Sequence, residues 1–223
     1  MVDVVPERIL ERIGRAYERA ASRAAERYQH WSVDEEYATG AVGGTKEELV
    51  KGPAVIDGQT FQWRTDTWPV RGKGPNGRER EYGADAVIEL VLLDEGGNKI
   101  AGKILPVQNK NERIYDADKL ADQASRISRL PGGGLVVRFS EQGFECCEAG
   151  VVADVKGDWG RIPQDQIFGF GRALSRDFLW CKIGTRDMTY DSRRQRFQTS
   201  DGRDIRFPVR RRSRTTVKRR RRT

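Results

Sequence analysis

The chain has 223 residues and a mass of 25.3 kDa, room for one compact domain with appendages. Hydrophobic residues make up 37% and charged residues 33%, and no uninterrupted apolar run approaches the roughly 20 residues of a membrane-spanning helix, so a membrane protein is excluded. The net charge is +8, but nine positive charges without an acid fall in residues 210–223, which leaves −1 for residues 1–209.

Residues 6–30 predict an amphipathic helix. Pro6 stands at a tolerated first position, and Ile9, Ile13, Tyr17, Ala20, Ala24 and Tyr28 recur every three or four residues. Beside that apolar face Arg8, Arg12, Arg15, Arg19, Arg23 and Arg27 form a stripe. Glu11, Glu18 and Glu26 stand at pairing distance, which reads as a solvated face. His30 ends this segment and is the single histidine. Ser-His-Asp hydrolysis, Cys-His proteolysis and multi-histidine metal sites are thereby disfavoured, and chemistry falls to carboxylates, lysines and amides.

Ser32-Val33-Asp34-Glu35 has capping-box spacing and predicts a second helix from about Val33, carrying Glu35 and Glu36. Residues 52–81 are rich in Gly, Pro, Trp and polar residues and predict one short strand followed by an exposed loop. Trp63 and Trp68, near Arg64 and Arg71, have either a base-stacking or a core-anchoring role.

Two β-rich apolar runs flank Gly96-Gly97 within residues 83–111, a hairpin signal. A two-residue loop pairs Glu95 with Asn98. Continued along the ladder, that register sets Asp85 opposite Gln108, with Lys110 two residues further on the same face. Pro106 cannot donate to a ladder and normally marks an edge or a bulge.

Asp118–Leu130 predicts a helix with Leu120, Ala124, Ile127 and Leu130 on one face, stopped by Pro131. Residues 135–139 predict a strand, residues 167–181 a largely helical segment, and residues 193–209 a closing hairpin turning at Asp201-Gly202. The fold class expected is α/β, a mixed central sheet flanked by helices. The division is an N-terminal helix over 1–31, an α/β domain over 32–209 and a disordered basic tail over 210–223. In the tail Arg210, Arg211, Arg212, Arg219 and Arg220 are candidate nucleic-acid contacts through counterion release. Cys146, Cys147 and Cys181 fit no disulfide framework and no metal knuckle, and read as small core residues. With no secretory signal at the N-terminus, a reducing cytoplasm is expected.

Asp85 in Gly-Ala-Asp at the head of one strand, with Gln108-Asn109-Lys110 at the end of the next, resembles the QxK variant of the restriction-endonuclease-like PD-(D/E)xK nuclease superfamily. The resemblance runs over roughly residues 33–190. It takes in the acidic helix ending at Thr39, the Leu120-Ala121-Asp122-Gln123 helix, the strand and turn over 135–144, and Cys181-Lys182-Ile183-Gly184. It implies a restriction-endonuclease-like core and a metal-dependent endonuclease with Mg2+ or Mn2+ as cofactor and nucleic acid as partner, DNA ahead of RNA. A defence or toxin role and a homo-oligomer or partner subunit are further implications.

In that reading Asp85 is the main metal ligand, Gln108 replaces the usual carboxylate, and Lys110 orients water or meets charge on the phosphate. Glu35 is an additional ligand, with Glu36, Glu81 and Glu89 as alternative acids. The rival expectation is an inactive nuclease fold that binds nucleic acid or a partner protein.

Overall fold

The computed structural model describes residues 5–28, 52–69, 84–112, 116–140, 142–199, 201–207 and 209–220. The predicted helix from Val33, with Glu35 and Glu36, lies outside them, as do His30 and residues 70–83 with Glu81.

Helix α1 (Glu7–Tyr28) follows the apolar spacing read from the sequence. It buries Ile9, Ile13, Tyr17, Ala20 and Ala24 and leaves Arg8, Arg12, Arg15, Arg19 and Arg23 exposed, Arg15 pairing with Glu11 at 3.9 Å. Strands β1 (Ala54–Ile56) and β2 (Gln59–Pro69) form a hairpin through Asp57-Gly58, whose positive φ angles of 50° and 72° suit a two-residue turn that twists with the strands. Strands β3 (Ala84–Leu93) and β4 (Lys99–Asn111) form the second hairpin. Helix α2 (Ala117–Ser128), capped by Asp116, crosses to β5 (Leu135–Ser140), which runs parallel to β4, and β6 (Gly143–Glu148) and helix α3 (Ala149–Asp154) follow.

The segment predicted as helical over 167–181 is broken. Strand β7 (Phe168–Gly169) pairs with β6, a short turn α4 (Phe170–Arg172) follows, and a π-helical stretch spans Ala173–Phe178. Strand β8 (Thr185–Arg186) adds to β4. Strands β9 (Thr189–Asp191), β10 (Arg196–Gln198) and β11 (Asp204–Arg206) make a separate small sheet containing the expected turn at Asp201-Gly202.

Residues 210–220 are not a disordered tail. Together with Val209 they form β12 (Val209–Arg220), inserted antiparallel to β2 and parallel to β3, in a large sheet of order β1-β2-β12-β3-β4-β5-β6-β7. Acids elsewhere in the fold stand beside four of these cations, Arg210, Arg212, Arg214 and Arg219. Glu89 binds Arg212 and Arg214, Asp85 pairs with Arg210, and Glu95 lies 3.9 Å from Arg219. On the other face of β12, Ser213, Thr215 and Val217 are buried, and Thr215 Oγ1 lies 2.5 Å from both the Tyr17 and Thr65 hydroxyls. The proposed boundaries at 31 and 209 therefore fail as domain boundaries, since α1 and β12 both belong to the body.

The two sides of the sheet carry separate cores. Under α1 lie Ile88, Leu90, Leu92, Leu105, Val107, Val137, Phe139 and Trp63. On the opposite face Val87, Ile104 and Val136 meet α2, α3, Trp159 and the aromatic residues Tyr190, Phe197 and Phe207 around the small sheet. Cys146 and Cys147 divide between the two cores, buried as expected, with burial pushing both thiols up. Among the described residues no helix is long and apolar enough to cross a membrane.

Candidate active site

The register of β3 and β4 decides which side chains meet. The pairs Ala86↔Val107 through Leu92↔Ala101 keep the offset read from the sequence, although the loop differs. Asp94 N donates to Asn98 O and Gly97 N to Asp94 O, so three residues form the turn. One irregularity beside Leu92 and Leu93 then restores the expected pairing, leaving Ile100 exposed. Pro106 pairs with Val87 without breaking the ladder. It falls where the other edge of β4 changes partner, between Lys103–Ile104 on β8 and Val107–Asn111 on β5. Gly134 permits the close approach there, because a Cβ would stand 2.5 Å from Pro106 O.

Asp85, Gln108 and Lys110 accordingly share the face that carries Val87 and Ile104. Asp85 Oδ2 accepts from Gln108 Nε2 and, at 2.8 Å, from the backbone N–H of Asn109. Asp85 Oδ1 lies 3.6 Å from Arg210 Nε. All three residues are buried, Gln108 at 1% exposure, Asp85 at 8% and Lys110 at 9%. Gln108 Oε1 is enclosed with no hydrogen-bond partner, and among the described residues no hydrogen bond or ion pair engages the Lys110 ammonium. A buried amide oxygen without a donor is costly, so this acceptor is disposed toward a cation or a donor that enters the site.

The donor set suits a hard divalent ion held by few protein ligands. Mg2+ is commonly bound by one or two carboxylates, with water and substrate phosphate completing its shell. Asp85 offers the carboxylate. Gln108 turns its Nε2 toward that carboxylate, so its amide oxygen would join the same ion only after the amide turns over, which would also take Oε1 out of its unpartnered position. Among the described residues no group of three or more His, Cys, Asp or Glu side chains could hold a metal ion, and Glu35, expected as an additional ligand, lies outside them.

Glu89, an alternative acid, shares the face of Asp85 four residues along β3, but it is engaged elsewhere. Arg212 Nε and Nη2 reach it at 2.6 and 2.9 Å, Arg214 Nε at 2.7 Å, and Tyr190 N at 3.4 Å. Burial pushes its carboxyl up and Arg214 opposes that shift. The tail arginines are correspondingly not a free polyphosphate-binding arm. Arg210 and Arg212 face Asp85 and Glu89, Arg211 is half-buried, and the exposed Arg219 and Arg220 lie near Glu95 and Gln62. Trp63 is in the core, and Trp68 lies under Arg212 at 5.5 Å.

Two cations near the site escaped the sequence reading. Arg210 lies in the stretch whose charge suggests a tail, yet residues 209–220 carry a strand signature. Val209, Ser213, Thr215 and Val217 alternate with Arg210, Arg212, Arg214 and Lys218. Arg138 is the Cα partner of Lys110 on β5, which only the parallel pairing reveals. Comparison with protein-family models, curated proteins and solved structures returned no match.

Proposed function

We propose that this chain is a metal-dependent nuclease that hydrolyses phosphodiester bonds in nucleic acid, DNA in preference to RNA, through the restriction-endonuclease-like QxK arrangement. One observation carries the reading: the cross-strand contact of Asp85 with Gln108, whose Oε1 is buried and unpartnered, with Lys110 two residues further along the same face. The crossover from β4 through α2 to a parallel β5 behind this motif supports it.

Asp85 and Gln108 would hold Mg2+ or Mn2+, with Glu35 as the third ligand. The bound ion would supply Lewis-acid stabilisation and an activated water. Lys110 stands beside Gln108 with its ammonium unengaged by described residues, suited to orient the attacking water or to meet negative charge building on the phosphate. Arg210 balances the Asp85 carboxylate from the neighbouring strand.

The test is incubation of the full chain with plasmid, single-stranded DNA and RNA, with and without Mg2+ or Mn2+. Cleavage should require the metal, and Asp85→Asn, which keeps an acceptor for the Asn109 N–H, and Lys110→Ala should each abolish it while circular dichroism shows the chain still folded. Glu35→Gln should remove most activity with little loss of stability. Wild-type rates in both the Asp85 and Lys110 variants would sink the assignment. The Arg210–Asp85 pair favours a second reading, a nuclease-like fold whose carboxylate is neutralised internally and which only binds nucleic acid. Salt-sensitive binding without cleavage under any metal would select it.

A further inference from the structure

Four buried polar atoms with no hydrogen-bond partner among the described residues belong to one layer, the face of the sheet covered by α2 and α3. They are Gln108 Oε1, Gln123 Oε1, Arg138 Nε and Trp159 Nε1. Native interiors leave few such groups, so two acceptors and two donors without partners mark this layer as polar rather than dry. Arg138 brings a charge to it. Lys110 and Arg138 are Cα partners on parallel strands, so their side chains project side by side from strands about 4.8 Å apart. Both stand near the carboxyl ends of β4 and β5, the end at which open α/β sheets take ligands.

The guanidinium is held in place. Arg138 Nη2 donates to Glu145 Oε2 at 2.6 Å, and the group lies over the Trp159 ring at 5.1 Å. Glu145 is itself the cross-strand partner of Arg138 on β6. A guanidinium has five N–H donors in a rigid fork that matches phosphate oxygens, and with Nη2 on Glu145 and Nε enclosed, Nη1 is left uncommitted. The side chain is about 29% exposed, so it is reachable from solvent while its orientation is fixed from behind.

We propose that Arg138 is a substrate-binding residue of this site, receiving a phosphodiester oxygen of the nucleic-acid strand beside the one met by Lys110. The assignment rests on the nuclease reading for what Lys110 does, but its own claim is phosphate recognition.

Binding of fluorescein-labelled single-stranded and duplex DNA to the full chain is measured by anisotropy in EDTA at several salt concentrations, alongside cleavage with Mg2+. Arg138→Gln should weaken binding about tenfold and reduce the slope of log affinity against log salt by about 0.7 on single strands or 0.9 on duplex, one phosphate's worth. In cleavage it should raise KM with kcat little changed, the mark of a contact made equally before and during reaction. Arg138→Lys should keep the salt slope and lose three- to fivefold in affinity, because a point charge does not reproduce the fork. Glu145→Gln, which retains the arginine and an acceptor for it, should keep both.

A purely structural cross-link predicts otherwise: Arg138→Gln and Glu145→Gln would both lower the melting temperature and leave the salt slope alone, which overturns the proposal. Wild-type affinity in Arg138→Gln, or in Arg138→Lys should the first variant not fold, overturns it as well. Wild-type protein that binds but never cleaves would remove the nuclease reading and leave Arg138 to be judged by binding. Wild-type protein that cleaves while Arg138→Gln behaves normally would remove Arg138 alone. Wild-type protein that does neither removes both.

Discussion

Arg212 holds Glu89 by two N–H···O bonds, Nε to Oε2 at 2.6 Å and Nη2 to Oε1 at 2.9 Å, with the carboxylate 1% and the arginine 7% exposed. Arg214 adds a third bond from the same strand. Removing one member of such a pair leaves buried charge uncompensated, which costs about 3–5 kcal/mol. Glu89→Ala should lower the unfolding free energy by that amount, read from the fall in the urea midpoint multiplied by the slope m. Replacing both buried partners together, Glu89→Leu with Arg212→Met, should recover most of it. If the double variant is as unstable as the single one, the pair is not the source of the loss.

Gln108→Glu should make metal-free protein less stable and metal-loaded protein relatively more so. A second carboxylate next to Asp85 brings two like charges together in a buried site, which a divalent cation would relieve. Thermal melting with and without Mg2+ reads both effects: the metal-induced rise should exceed that of wild type. An equal or smaller rise would count against Gln108 as a ligand position.

Deleting residues 209–220 should abolish folding rather than merely weaken nucleic-acid binding. The deletion removes a strand paired on both edges and the partners of Glu89 and Tyr17. Circular dichroism and proteolysis of the truncated chain should show loss of cooperative structure. A truncated protein that melts like wild type would show that β2 and β3 can close on each other.

Lys103 is fully buried, and its ammonium donates to Phe178 O and Ile183 O at 2.6 Å each. Burial pulls its pKa from 10.5 down to about 8. Between those values the unfolded chain binds more protons than the folded one, so stability rises with pH across the window relative to neutrality. Wild-type urea midpoints should therefore gain on those of Lys103→Met from pH 8 to 10. Lys103→Met should itself be about 1–3 kcal/mol less stable at pH 7, because two buried carbonyls lose their donor. Parallel pH profiles for the two proteins would show that Lys103 titrates alike in both states.

The juxtaposition of Asp85 and Gln108 was legible because strand periodicity alone sets it. Alternation along residues 84–93 and 99–111 puts Asp85 and Gln108 on one face, and the wrong loop did no harm because one irregularity offsets one extra turn residue. Residues 209–220 were misread because the acids beside four of their arginines lie far back in the chain, where no local window sees them. The Asp57-Gly58 turn signal was present and passed over. The broken helix after Ile167 was hidden because short strand pairing with β6 overrides the local pattern.

The insertion of β12 also orders events in time. Arg212 follows Glu89 by 123 residues, so at about 5–20 residues per second a ribosome needs roughly 6–25 s to make the strand that covers β3. Through that interval the edge of β3, with Val87, Ile88, Leu90, Val91 and Leu92, has no neighbour on one side and invites strands from other nascent chains. Glu89 sits in the middle of that run. A passing strand that docked there would have to bury the carboxylate unpaired, whereas β12 arrives with arginines in matching register. The buried ion cluster would thus discriminate against foreign strands during synthesis, and a Glu89→Leu chain, however stable once folded, should aggregate more readily while being made.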